Sequence, residues 1–118
     1  MPDRHTISKV LIPAKYQKCV NDTKELLRNE AISGCLTTDC WTSRSNIAYI
    51  SLTYHFINTN FELKSVLLGC YEFSENHSGL NLCKTIQKTL DEWEILNSTI
   101  VLAVSNNASN IKNALSLL

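Results

Sequence analysis

Glycine is scarce in this chain, and Gly34, Gly69 and Gly79 are too scattered to form a phosphate-cradling loop. There is likewise no G-x-S-x-G elbow and no Cys/His nucleophile pair, which removes the familiar nucleotide-binding and hydrolase motifs. The five cysteines, Cys19, Cys35, Cys40, Cys70 and Cys83, are odd in number, form no C-x-x-C pair and share no zinc-finger spacing with histidine. They are expected to be reduced, buried core thiols of an intracellular protein, and no structural zinc site is expected. Charge of one sign is also missing, since eleven basic residues balance eleven acidic ones. No global positive field draws the chain to a phosphate backbone, so autonomous DNA binding is expected to be weak or absent. Apolar runs stay well short of the roughly 18 residues that a membrane span needs, and no secretory leader is apparent.

Hydrophobic residues make up 44% of the 118 positions, enough for one compact folded domain. Pro13 suits a first helical position, and Tyr16, Cys19, Val20, Leu26 and Leu27 recur at helical spacing, which predicts an amphipathic helix from about Pro13 to Glu30. After Gly34 the threonine-rich stretch Cys35 to Trp41 reads as a strand. From Ala48 to Phe56, apolar Ala48, Ile50, Leu52, Tyr54 and Phe56 alternate with Tyr49, Ser51, Thr53 and His55, the pattern of a half-buried strand. Asn58-Thr59-Asn60 supplies a turn, and Phe61 to Tyr71 reads as the returning strand of a hairpin.

Ser78 can cap a crossover helix whose stripe is Leu82, Ile86, Leu90 and Trp93. The run Ile100 to Val104 then has the character of a parallel central strand covered on both faces. Ile111, Ala114, Leu115 and Leu118 predict a last helix, with Asn107 or Ser109 as its cap. The expected organisation is an N-terminal helical segment over 1–33 and an α/β domain over 34–118. That domain is a three-stranded antiparallel meander, a crossover helix and a parallel strand, truncated before its C-terminal elements.

Two segments are specific enough to carry a resemblance. Leu36-Thr37-Thr38-Asp39-Cys40-Trp41-Thr42-Ser43 resembles the TTD-x-WTS stretch of hAT-superfamily transposases, and Val104-Ser105-Asn106-Asn107-Ala108-Ser109-Asn110 resembles their VTDNASN stretch. His77-Ser78-Gly79 and Glu92-Trp93 fall where that family places a helix entry and the approach to the last strand. The resemblance spans roughly Tyr16 to Ala114 and implies a ribonuclease H-like fold of the kind found in BED zinc-finger proteins. It further implies a nuclear location, with a BED finger upstream and a dimerisation region downstream in intact relatives.

The implied chemistry is two-metal catalysis, in which carboxylates on adjacent strands hold two Mg²⁺ ions about 3.5–4 Å apart. Hard Mg²⁺ requires charged oxygen ligands. Asp39 stands at the first of these positions, at the expected end of its strand. The position matching the family's second aspartate is Asn106, whose neutral amide is a poor replacement. The third acid is expected beyond Leu118. Asp39 is therefore expected to be vestigial and Asn106 degenerate, with no functional Mg²⁺ site, no other cofactor and no enzymatic activity. Thr38, Trp41, Thr42, Ser43, Asn107, Ser109 and Asn110 complete the motif residues, and Trp41 is expected to pack beside the core strand. His55 and His77 lack a third ligand and are expected in ordinary hydrogen bonds, while Arg44 is expected to be solvated. Three functions remain open from sequence: an inactive transposase-derived domain, a protein-interaction scaffold keeping only the fold or a decayed transposon fragment, and a nuclease completed by another chain. An uncovered Ile100 to Val104 edge would favour self-association or a partner strand.

Overall fold

The computed structural model describes residues 1–72, 79–105 and 115–116. Helix α1 (Arg4–Thr6) opens the chain, a π-helical turn (Ile7–Leu11) follows, and α2 (Ile12–Glu30) continues in the same direction. Asp3 caps the start by accepting from the Thr6 amide at 2.7 Å, which holds its carboxyl below the usual range. The helix thus begins well before Pro13. Proline inside a helix leaves the carbonyl four residues back without its donor and clashes with it, and the wide π turn immediately upstream accommodates that defect.

Four strands form one mixed sheet in the order β3-β2-β1-β4. Strand β1 (Gly34–Thr42) pairs antiparallel with β2 (Ala48–Ile57), which pairs antiparallel with β3 (Leu63–Glu72). Strand β4 (Ile100–Ser105) lies parallel to β1, as the crossover through α3 (Gly79–Glu92) requires. The expected meander, crossover helix and parallel strand are therefore present. β4 forms the sheet edge among the described residues, in line with the uncovered Ile100 to Val104 edge expected of a truncated domain; what fails is the reading of a central strand covered on both faces, since Val101, Leu102 and Val104 are exposed. An apolar run records a strand's composition but not how many neighbours it has.

Cross-strand register assigns the two faces. Leu36, Thr38 and Cys40 stand opposite Tyr54, Leu52 and Ile50, and this face meets Leu82, Ile86 and Leu90 of α3 and Leu27 near the end of α2. The expected stripe on α3 is confirmed, with Trp93 just past its end donating from Nε1 to the Leu68 carbonyl at 2.8 Å. That helix stops without a glycine. Glu94 takes the left-handed conformation (φ 59°), Ile95 N–H reaches the Leu90 carbonyl at 2.9 Å, and Ile95 is buried, a Schellman-type ending.

Between β2 and β3 the Asn58 side chain accepts from the amides of Asn60 and Glu62. Phe61 sits in that turn at φ 61°, so β3 starts two residues later than its apolar pattern predicts. The helix stripe was also only half right. Leu27 is buried and Leu26 packs on the core, but Tyr16 is 67% exposed and Cys19 is on the surface, because they border an open groove beside Leu67, Cys70 and Trp93 instead of entering the core. The radius of gyration, 16.2 Å, exceeds the roughly 13.5 Å of a compact chain of this length, and the long N-terminal helix contributes to the excess.

The cysteines depart from expectation as well. Cys19 and Cys70 are exposed, Cys35, Cys40 and Cys83 are half-buried, and none is paired in a disulfide. Strand alternation rather than residue type decides this for Cys35 and Cys70, which fall on the face without helices. Of the last predicted helix, residues 115 and 116 are helical and Leu115 packs on the core; Ile111, Ala114, Leu118 and the caps Asn107, Ser109 and Ser78 lie outside the described residues.

Candidate functional site on the open sheet face

Asp39 lies inside β1 rather than at its end, three residues before Thr42, and is exposed on the face opposite the core. Its cross-strand neighbour is Ser51, and Cys70 follows in the next strand. The parallel pairing of β1 with β4 runs to Thr38 and Ser105, which stand side by side. These are the residues immediately before Asp39 and Asn106. The topology thus brings the ends of the two described motif strands to one place, as the resemblance implies, although Asn106, Asn107, Ser109, Asn110 and His77 themselves lie outside the described residues.

The remaining motif residues build the strand and its turn. Thr38 is buried and donates from Oγ1 to the Ser51 carbonyl at 3.0 Å, so its hydroxyl is satisfied within the core. Trp41 stacks on Tyr49 across the strand pair, with ring centroids 5.6 Å apart and planes inclined by 22°. Packing is thus the contact Trp41 makes, on the open face and 42% exposed. Thr42 ends β1. Ser43 then closes the turn: its amide donates to the Ile47 carbonyl at 2.8 Å and its Oγ accepts from the Ile47 amide at 3.2 Å, while Asn46 occupies the left-handed region. Arg44 is exposed in that turn.

His55 is tied into a polar ladder over three strands. Its Nε2 lies 3.0 Å from Thr37 Oγ1 and its Nδ1 2.8 Å from Ser65 Oγ. A neutral ring protonated on Nε2 satisfies both, donating to Thr37 and accepting from Ser65, while Thr37 in turn donates to the Thr53 carbonyl. Tyr49, Thr37 and Ser65 were not singled out from sequence. The alternation placed Tyr49 on the polar face, but its partner is known only once the register is.

Across the strand, on the core side, Cys40 is pushed up from its ordinary thiol range, first by burial and then by the negative charge of neighbouring Asp39. Two Mg²⁺ ions need several charged oxygens around a span of about 4 Å. On the described part of this face the other carboxylate is Glu72, opposite Tyr49 and so two strands across and two residues along from Asp39, roughly 12 Å away by strand geometry. The donors next to Asp39 are a hydroxyl and a thiol. Among the described residues that set does not fit a metal pair.

The mixed sheet with its crossover helix is an α/β domain of the ribonuclease-like class. The model of the ZBED1 RNase-like domain matches residues 37–118. Three curated relatives agree. A provisionally named transcriptional regulator of Talaromyces stipitatus, tpeD, is 27% identical over 85% of this chain and 12% of its own length. A maize protein named as an AC transposase is 28% identical over 63% of the chain and 9% of its own length. The zinc finger BED domain-containing protein DAYSLEEPER of Arabidopsis thaliana is 28% identical over 69% and 12%. The chain belongs to the ZBED1 RNase-like domain family and is related to hAT transposases and BED zinc-finger proteins. It spans about a tenth of the length of these relatives.

Proposed function

We propose that this chain is a catalytically inactive, hAT transposase-derived RNase-like domain that serves as a scaffold within a nuclear, DNA-associated protein. The observation that carries the reading is the junction of β1 and β4. The register pairs Thr38 with Ser105, the residues that immediately precede Asp39 and Asn106 in the sequence, and an amide cannot share a divalent cation as a second carboxylate does. Names of relatives that include a BED zinc finger and a transcriptional regulator support the nuclear setting. The domain itself binds DNA weakly, since its charges cancel. The exposed β4 edge can accept an added strand from a partner or a second copy.

Incubation of the purified chain with labelled DNA and Mg²⁺ or Mn²⁺ tests the reading. No cleavage is expected above a metal-free control. Cleavage that disappears in Asp39→Ala would overturn it and favour a nuclease whose remaining acids come from elsewhere.

A further inference from the structure

A cavity of about 130 Å³ lies between the end of α2, strand β2 and the segment that leaves α3. Leu27, Ala31, Trp93 and Ile95 give it an apolar lining. Its shape follows from the way α3 ends. Because Glu94 takes the left-handed conformation and the Ile95 amide returns to the Leu90 carbonyl, the chain bends there, and Glu94 meets Arg28 of α2 at 2.8 Å. A short 3₁₀ turn (Asn97–Thr99) then brings Thr99 to the lining. Tyr54 closes the cavity on the side of the sheet. It stands opposite Leu36 on the core face, so the cavity is on the other side of the sheet from Asp39.

Two polar features separate this cavity from a packing defect. The first is the Tyr54 hydroxyl. Tyr54 is only 2% exposed, and a tyrosine so deeply placed ordinarily finds a partner, yet its hydroxyl has none among the described residues. Every fully enclosed side-chain polar atom of the described residues is satisfied, so this hydroxyl is not enclosed: it opens on the cavity that Tyr54 lines. Gly34 holds it there, since a Cβ at that position would lie 2.7 Å from the hydroxyl oxygen. The second feature is charge. Lys24 and Arg28 line the cavity one helical turn apart, and only Arg28 is engaged by a carboxylate, that of Glu94. Two cations and one anion leave the lining one net positive charge, on the ammonium of half-buried Lys24.

An inorganic anion would leave the apolar lining wet, and a hydrocarbon would leave Lys24 and Tyr54 without partners. An occupant that satisfies all of them is small, apolar in its middle, negative at one end and hydrogen-bonding at the other. A cavity of about 150 Å³ is enough for a benzene ring. We propose that this cavity binds a single-ring aromatic carboxylate, with the carboxylate on Lys24, the ring among Leu27, Ala31 and Ile95, and a polar substituent across the ring on the Tyr54 hydroxyl. The site is independent of the Asp39 motif and needs no metal.

Titration of para-hydroxybenzoate into the full chain, followed by the indole N–H resonances of Trp93 and Trp41 in isotope-labelled protein, tests the proposal. A saturable shift of Trp93 and not of Trp41 is expected, with a Kd of about 1 mM for a ligand of roughly ten non-hydrogen atoms. Tyr54→Phe keeps the ring, loses the hydroxyl and should weaken binding about five-fold. Lys24→Met keeps the stem, loses the charge and should weaken it several-fold as well. Benzoate, which lacks the group for Tyr54, and phenol, which lacks the charge, should each bind several-fold more weakly to the wild type. Amide spectra check that both variants are folded, and Lys24→Met on the helix surface keeps the test decisive if Tyr54→Phe unfolds. No saturable shift in large excess of ligand, a shift at Trp41 in place of Trp93, phenol binding as tightly as para-hydroxybenzoate, or undiminished binding by Lys24→Met would each overturn the proposal.

Discussion

The two faces of the sheet are built from the same four strands yet could hardly differ more. On the core face Leu36, Ile50, Leu52 and Tyr54 are sealed under α3 and the end of α2, and no buried side-chain polar atom lacks a partner among the described residues. On the open face Asp39, the Thr37–His55–Ser65 ladder and the Trp41–Tyr49 stack stand among exposed leucine and valine. The first face holds the fold together. The second carries the motif residues Asp39 and Trp41, and alternation by a single residue decides which face a side chain joins.

Truncation on each face gives the largest expected contrast. Ile86→Ala or Leu52→Ala should cost about 2–5 kcal/mol, since each removes fully buried methyl groups and leaves a cavity. Leu102→Ala on the open face should change stability by no more than about 0.5 kcal/mol. Urea titration of the three variants measures both, and equal losses would break the distinction between the faces.

A smaller effect is expected at Gly34, where β1 enters the sheet. A Cβ there would lie 2.5 Å from the His55 carbonyl and 2.6 Å from the Tyr54 ring, and the backbone oxygen cannot swing aside. Gly34→Ala should therefore destabilise by about 1–3 kcal/mol, read in the same titration. Gly69 makes the useful comparison. There the added Cβ meets the Tyr71 ring, a side chain that can move, so Gly69→Ala should cost less.

Thiol chemistry sharpens the contrast without perturbing stability. Cys19 and Cys70 are exposed and should be alkylated first, whereas Cys40 on the core side should lag because burial and the charge of Asp39 both hold its proton. The thiolate attacks, so a raised thiol gains reactivity as the pH climbs. Cys40 labelling should accelerate at alkaline pH, and Asp39→Asn should speed it modestly, because the change removes the lesser of the two causes. Peptide mass mapping after brief iodoacetamide exposure reads all three sites.

Much of this was legible in the sequence where periodicity and burial coincide. The alternation from Ala48 to Phe56 and the stripe Leu82, Ile86, Leu90 and Trp93 both depend on one face meeting a core, and both were found as read. Failures occurred where a local pattern has no knowledge of its neighbours. The run at Ile100 is as apolar as an interior strand, and Tyr16 is spaced as if buried, yet neither fact says where the sheet ends. Pro13 reads as a helix start, and only the π turn beside it allows the helix to begin earlier. For the site, Asp39 and its motif were recognisable by their residues, while Tyr49 beneath Trp41 and the partners of His55 depend on a register that spacing alone leaves open.

The central claim, that Asp39 no longer belongs to a metal centre, is tested most directly by calorimetric titration of Mn²⁺ into the wild type, Asp39→Ala and Asn106→Asp. The account predicts that wild type and Asp39→Ala bind Mn²⁺ equally weakly, and that Asn106→Asp gains affinity without gaining strand cleavage. Tight binding by the wild type that is lost in Asp39→Ala, or catalytic turnover by Asn106→Asp alone, would contradict it.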